Sequence, residues 1–288
     1  MSAERAFIDV LKALATDPAA RGLADDCAVL EVGGEALVLT HDMMVEGVHA
    51  LPGADLADVA WKLVAVNLSD LAACGARPVG VLLGHMLGEG DERFAAGLAD
   101  VLEHYHVPLL GGDTVAGGPP RAWGLTAIGL ATHRPVPSRA GARPGDGVWV
   151  TGELGAAMLG FEALRDRTGA DSMAYRRPMA RLAEGEALAP LVTAMMDISD
   201  GLLLDASRIA EASGVTIAID SKAVPIASVE GRRHYVLRWG DDYELLFTLP
   251  PGISPPVKAT RIGIVQERGA APLLLDGARP EGSLGYQH

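Results

Sequence analysis

Asp55-Leu-Ala-Asp-Val-Ala-Trp-Lys-Leu-Val-Ala-Val-Asn-Leu-Ser-Asp-Leu-Ala-Ala-Cys-Gly-Ala-Arg-Pro78 is the stretch from which the rest of the chain is read. Val59, Leu63, Val66 and Leu71 recur at helical spacing, and Gly75 followed by Pro78 is expected to end the helix. Asn67 and Asp70 are three apart and share a face, so a polar pair stands beside an apolar stripe as a candidate ligand face. Outward from this helix, short β-branched or Leu-rich runs alternate with helical ones. Residues 36–40 read as a strand, 91–106 as a helix with Phe94, Leu98, Val101 and Leu102 inward, and 107–110 as a strand entering Gly111-Gly112. Residues 147–151 read as a strand, 154–164 and 202–212 as helices, and 215–219 as a strand after Gly214. The amino terminus reads as an amphipathic helix with Phe7, Val10, Leu11 and Leu14 on one face before Asp17-Pro18. This alternation predicts a mixed α/β (α+β) architecture.

The chain has 288 residues, 49% of them hydrophobic, long enough for one large or two ordinary domains with a substantial core. Residues 133–146 are rich in Pro, Gly and Arg, the composition of an exposed connection, and the boundary is expected there, giving units 1–134 and 135–288. With 37 Asp plus Glu against 24 Lys plus Arg the net charge is −13, which argues against nucleic acid or an anionic membrane as partner. A polyanionic ligand would need intervening cations. Two cysteines, Cys27 and Cys74, stand in no metal-ligand spacing and suit a reducing compartment, so a cytoplasmic location is expected. No apolar run approaches the roughly 20 residues a membrane span requires.

Aspartates recur where strands or helices are expected to begin or end, Asp113, Asp200 and Asp241 directly beside glycine: Asp25-Asp26, Asp42, Asp70, Asp113, Asp197, Asp200 and Asp241-Asp242. Any one of them is most simply a turn or cap residue. Together, several after apolar strands, they point to the hard oxygen ligands that Mg²⁺ takes alongside substrate phosphates. Asp197 and Ser199 would point to one side of an extended segment, while Asp200 is placed to cap the next helix. There is no P-loop, no G-x-G-x-x-G after a strand, no kinase H-R-D and D-F-G pair, no H-E-x-x-H and no G-x-S-x-G. Residue chemistry alone thus leads to a Mg²⁺-dependent enzyme acting on phosphates by another scheme.

Seven motifs follow one another in an order that resembles the thiamine-monophosphate kinase family. They are Asp25-Asp-Cys-Ala-Val29, Thr40-His-Asp-Met-Met-Val-Glu-Gly-Val-His49, Ala65-Val-Asn-Leu-Ser-Asp-Leu-Ala-Ala-Cys-Gly-Ala76, Leu110-Gly-Gly-Asp-Thr114, Ser138-Arg-Ala-Gly-Ala-Arg-Pro-Gly-Asp146, Asp197-Ile-Ser-Asp-Gly-Leu202 and Gly240-Asp-Asp-Tyr-Glu-Leu-Leu-Phe247. The wider superfamily also holds aminoimidazole ribonucleotide synthetase, selenophosphate synthetase and the hydrogenase maturation factor HypE. The resemblance implies an amino-terminal domain whose mixed sheet pairs across a homodimer and a carboxy-terminal α/β domain. It also implies transfer of the γ-phosphoryl of ATP to thiamine monophosphate with several Mg²⁺ ions. By the same resemblance Asp26, Thr40, His41, Asp42, Asp70, Asp113, Asp197 and Asp200 fall at metal positions, Gly112, Asp113, Arg139 and Ser199 at ATP, and His49, Asp241 and Tyr286 beside thiamine phosphate.

Three departures stand out: Ala24 where the family usually has Gly, His41 where it has Thr, and Asp241 where it has Glu. An imidazole suits transition metals better than Mg²⁺, so His41 is expected to ligate by its ring or only by its backbone carbonyl. The competing readings are another ATP-dependent member of the superfamily and a non-catalytic nucleotide-binding regulator. No Cys follows Cys74, which disfavours a HypE-like chemistry at a carboxy-terminal cysteine.

Overall fold

The structure is a computed structural model that describes residues 3–286. The first half contains α1 (Ala3–Lys12), a 3-10 turn (Pro18–Leu23), β1 (Ala28–Val32), β2 (Glu35–Val45), α2 (Leu56–Ala73), β3 (Ala76–Leu87), α3 (Asp91–Tyr105), β4 (Leu109–Ala116) and β5 (Ala122–Ala131). Its five strands lie in the order β1-β2-β5-β3-β4, antiparallel except for the β3–β4 pair. The second half contains β6 (Gly147–Thr151), α4 (Ala156–Arg165), α5 (Met173–Arg176), α6 (Leu182–Leu188), β7 (Ala194–Asp197), α7 (Leu202–Ser213), β8 (Thr216–Ile219), α8 (Arg233–Val236), β9 (Leu245–Leu249), β10 (Ala259–Gln266) and β11 (Leu273–Leu275). These strands form a second, six-stranded sheet in the order β11-β8-β10-β6-β9-β7. None of the described helices is long and apolar enough to cross a membrane.

α2 is the axis of the molecule. Asp55 caps its first turn by accepting from the amide of Ala57 at 2.9 Å, and Gly75, at φ +58°, turns the chain out of it. Pro78 plays no part in that ending: it lies within β3, beside a register irregularity between Pro78 and Gly80. From Ala57 to Ala73 every residue except Asp70 is buried, because the helix packs on the first sheet and α3 on one side and on α6 and β7 on the other. A helix with partners all round is buried all round, and its polar side chains Asp58, Lys62, Asn67 and Ser69 each meet a hydrogen-bond partner there. The approach of α3 depends on Gly97, where an added Cβ would lie 2.3 Å from the Cα of Ala57. Gly97→Ala is therefore expected to force the two helices apart and destabilise the protein by about 2 kcal/mol, read from chemical denaturation. An unchanged denaturation midpoint would contradict this packing.

α1 departs from expectation. Its apolar stripe is not covered among the described residues: Phe7 is 63%, Val10 64% and Leu14 75% exposed. The first sheet likewise has one covered and one open face. Directly paired residues point to the same side, so the row Asp42, Leu125, Leu83, Gly112 belongs to the covered face, and the row Met43, Gly124, Gly84, Asp113 to the open one.

Candidate active site

β2 presents Thr40 and Asp42 on the side that meets α2, and α2 brings Asn67, Ser69 and Asp70 to the same place. Thr40 Oγ1 donates to Asp70 Oδ2 at 2.5 Å, and the Asp42 amide donates to Asn67 Oδ1 at 3.0 Å. Asn67 also donates to the Leu63 carbonyl at 2.8 Å, so its side-chain amide holds β2 against the helix. From the second half, β7 delivers Asp197, whose Oδ2 accepts from Ser69 Oγ at 2.5 Å. Asp26 enters from the loop before β1. One carboxylate oxygen each from Asp26, Asp70 and Asp197 lie within 4.8 Å of one another.

Three carboxylates so close together, and largely shielded from solvent, repel one another. Burial pushes Asp70 and Asp197 well above the ordinary carboxylate range, and the neighbouring aspartates push the same way. Burial also raises Asp42, and it raises Asp26 despite the opposing Arg139 guanidinium. Asp26 Oδ2 is buried with no hydrogen-bond partner among the described residues. An all-oxygen donor set, an unpartnered buried oxygen and uncompensated negative charge together fit a hard divalent cation.

Arg139 closes one side. Its Nε donates to Asp26 Oδ1 at 3.0 Å and its terminal nitrogen to the same oxygen, while its backbone amide donates to Asp25 Oδ1 at 3.0 Å. Asp25 thus positions the Arg139 loop, helped by Ser138 Oγ at 2.6 Å, and leaves Asp26 for the cluster. Ala24 replaces the usual glycine without strain, since its φ of −120° is open to any residue. On the far side Asp200 Oδ2 accepts from Arg208 at 2.6 Å, the Ser199 carbonyl accepts from the Asp241 amide at 2.8 Å, and the Tyr286 amide donates to the Asp200 carbonyl at 2.9 Å. His49 lies in the turn after β2, where its Nδ1 accepts from the Val45 amide at 3.1 Å.

Three expected site residues are not with the cluster: His41, Asp113 and Gly112. The His41 imidazole lies on the open face of the sheet, 2.9 Å from Thr126 Oγ1, so the ring is directed away from Asp26, Asp70 and Asp197. Strand alternation is the reason, since Thr40 and Asp42 occupy the covered face. Asp113 also stands on the open face, exposed, and accepts from the amide of its neighbour Thr114 at 2.9 Å. Gly112 is in the same row as Asp42 but three strand spacings away, roughly 14 Å. A Cβ on Gly112 would lie 1.9 Å from the Leu83 carbonyl oxygen, so β4 can pass there only with glycine.

Sequence reasoning missed several residues. Asp205, fully buried in the first turn of α7, accepts from the Asp200 amide at 3.1 Å and from Arg208 at 2.7 Å. Burial raises it to about 7 against the pull of Arg208. The spacing of Asp205 and Arg208, one helical turn apart just after Asp200-Gly201, was the available signal. Lys62 carried none: a lone lysine in an apolar helix reads as an exposed position, yet it is 3% exposed.

Comparison with known proteins gives this geometry a context. Residues 24–131 match the AIR synthase related protein, N-terminal domain, and residues 143–271 the AIR synthase related protein, C-terminal domain. The thiamine-monophosphate kinase of Escherichia coli K12 is 38% identical over 249 residues, covering 80% of this chain and 76% of that protein. The thiamine-monophosphate kinase of Caulobacter vibrioides is 39% identical over 257 residues, covering 82% and 73%. Among solved structures, AaThiL complexed with AMPPCP and TMP superposes with a TM-score of 0.89 at 31% identity, covering 98% of this chain and 96% of that one. Two matched domains, a shared fold and this level of identity to curated kinases over most of the chain place the protein in the thiamine-monophosphate kinase family.

Proposed function

We propose that this protein transfers the γ-phosphoryl group of ATP to thiamine monophosphate, giving thiamine diphosphate and ADP. The observation that carries the reading is the buried Asp26, Asp70 and Asp197 cluster at the junction of the two halves, in a chain whose relative AaThiL is seen with AMPPCP and TMP together. Both reactants are anions, and a chain of charge −13 cannot gather them with its own field. Asp26, Asp70 and Asp197 would hold Mg²⁺, with Thr40, Asp42 and Asp200 beside them. Bound Mg²⁺ supplies the neutralisation of both phosphate chains.

The chain's own groups position the reactants. Arg139 presents a planar fork to phosphate oxygens, with Ser199 and Gly112 as further ATP contacts, and His49, Asp241 and Tyr286 are assigned to the acceptor. No general base is assigned, because a phosphate monoester is largely ionised near neutral pH. His41 is left out of the metal set, its ring being on the other face. A panel of acceptors with ATP and Mg²⁺ tests the reading: ADP release is expected only with thiamine monophosphate, and release driven instead by a purine-pathway substrate would transfer the activity to the other branch of the superfamily.

We also assign residues 1–134 and 135–288 to separate units, each with its own sheet, and infer a homodimer formed through the open face of the first sheet. Met43, Leu82, Leu110 and Val115 are 56%, 39%, 53% and 52% exposed, an apolar surface of the kind that pairs. Asp113 rides on that face, so a second copy would bring it to a site boundary that its own subunit leaves distant. A cytoplasmic location remains part of this reading, supported by two unpaired cysteines.

The raised carboxylates give a pH signature. Between the ordinary carboxylate value of about 4 and the value of about 7 for Asp205, the folded protein holds protons that the unfolded chain has lost. Stability of the metal-free protein should therefore fall as pH rises through this interval. Carboxyls held low by arginine or histidine partners, such as Asp55 and Asp91 at about 2, are ionised in both states there and do not contribute. The melting temperature in chelator is expected to be lower at about pH 7.5 than at about pH 5, with Mg²⁺ reversing the loss. A rise over the same range would contradict it.

A further inference from the structure

The Lys62 ammonium is buried in α2 and faces three different segments. It donates to Asp241 Oδ2 at 2.8 Å and to the His49 carbonyl at 3.3 Å, and it sits 4.1 Å from the centre of the Tyr175 ring. A buried ammonium needs a partner for each of its three N–H directions, and here a carboxylate, a carbonyl and an aromatic face supply them. Two of those partners are the residues assigned to the acceptor. Neither is otherwise rigid by sequence: His49 is in a turn, and Asp241 is a non-glycine residue at φ +65°. Tyr175 OH also donates to the His49 carbonyl at 3.3 Å, and Tyr243 OH donates to Asp241 Oδ1 at 2.9 Å, so the same two residues are gripped from both sides. His49, Lys62 and Tyr175 line one cleft of ≈ 830 Å³ between the start of α2 and the α4–α5 connection.

We propose that Lys62 is a positioning residue for the acceptor: by joining the His49 turn to Asp241 across the two halves it sets the shape of the thiamine-phosphate pocket and hence acceptor affinity. This inference rests on the thiamine monophosphate reading. Asp241 is one methylene shorter than the glutamate usual at its position, and the ammonium holds its carboxylate at a fixed point. Arg139 and Ser199, the residues assigned to ATP, are not among the groups that hold the Lys62 ammonium, which are Asp241, His49 and Tyr175.

The test is steady-state kinetics on Lys62→Met, Lys62→Arg, Asp241→Asn and the Lys62→Met/Asp241→Asn pair beside the wild type, with melting temperatures. Lys62→Met is expected to raise KM for thiamine monophosphate by about tenfold or more and to leave KM for ATP within about twofold. Lys62→Arg should recover part of the loss. The double variant should lose less than the two single effects added together, since Lys62 acts through Asp241. An unchanged acceptor KM, or equal rises in both KM values with a lowered melting temperature, would overturn the proposal and leave Lys62 a packing residue. Should Lys62→Met not fold, Lys62→Arg carries the test: a rise in acceptor KM with ATP KM within about twofold is expected, and an unchanged acceptor KM or equal rises in both overturn the proposal. A wild type that makes no thiamine diphosphate would instead strike the functional reading, and is seen before any variant is compared.

Discussion

Asp197→Asn is expected to lower phosphoryl transfer on the order of 10³-fold while making the metal-free protein more stable. The carboxyl is 2% exposed, its Oδ2 accepts from Ser69, and Asp26 and Asp70 face it. An asparagine of the same shape keeps the acceptor for Ser69 and replaces one repelling charge by an amide that can donate to its neighbours. In chelator the melting temperature should rise by a few degrees, corresponding to about 1 kcal/mol. The same substitution removes a ligand charge, so the stabilisation that Mg²⁺ gives the wild type should shrink or vanish. Stability and activity moving in opposite directions separates a metal site from a merely structural carboxylate cluster. A variant with wild-type turnover, or one destabilised in chelator, would contradict the assignment.

Arg139→Met is expected to damage both properties together. The Asp26 side chain is 1% exposed and its charge is met by Arg139, so deleting the guanidinium leaves a buried carboxylate with no cation of its own. Breaking a buried pair from one side costs about 3 kcal/mol, and the loop that carries Arg139 would lose its grip on the site. KM for ATP should rise at least about tenfold as the phosphate fork is lost. Arg139→Lys should restore charge and some stability but little ATP affinity, because an ammonium cannot make the two parallel donations. Equal ATP affinity in Arg139→Lys and wild type would show that only charge matters at this position.

Much of this was legible in the sequence where local rules decide the outcome. α2, α3, α7 and β6 lie within a residue or two of their expected ranges, because helical periodicity, the Asp55 cap and the glycines at 75 and 214 act within one turn of themselves. The aspartates were legible as a set because acidic side chains that recur next to apolar strands and helices have few uses in common. Side and distance were not legible. Whether His41 or its neighbours faced the cluster depended on which face of β2 met α2, a tertiary choice that single-residue alternation leaves open. Asp113 belongs to the GGDT motif, but sheet order puts its strand at the far edge. Lys62 was silent because its partners Asp241 and Tyr175 lie more than a hundred residues away. The exposed stripe of α1 looked like a core face, since amphipathicity gives the direction of burial but not the partner.

The most direct measurement is the conversion of thiamine monophosphate and ATP, with and without Mg²⁺, followed by identification of both products. The account predicts thiamine diphosphate and ADP in equal amounts, dependent on the acceptor and abolished by chelator. Saturable ATP binding with no thiamine diphosphate formed in the presence of Mg²⁺ would contradict it.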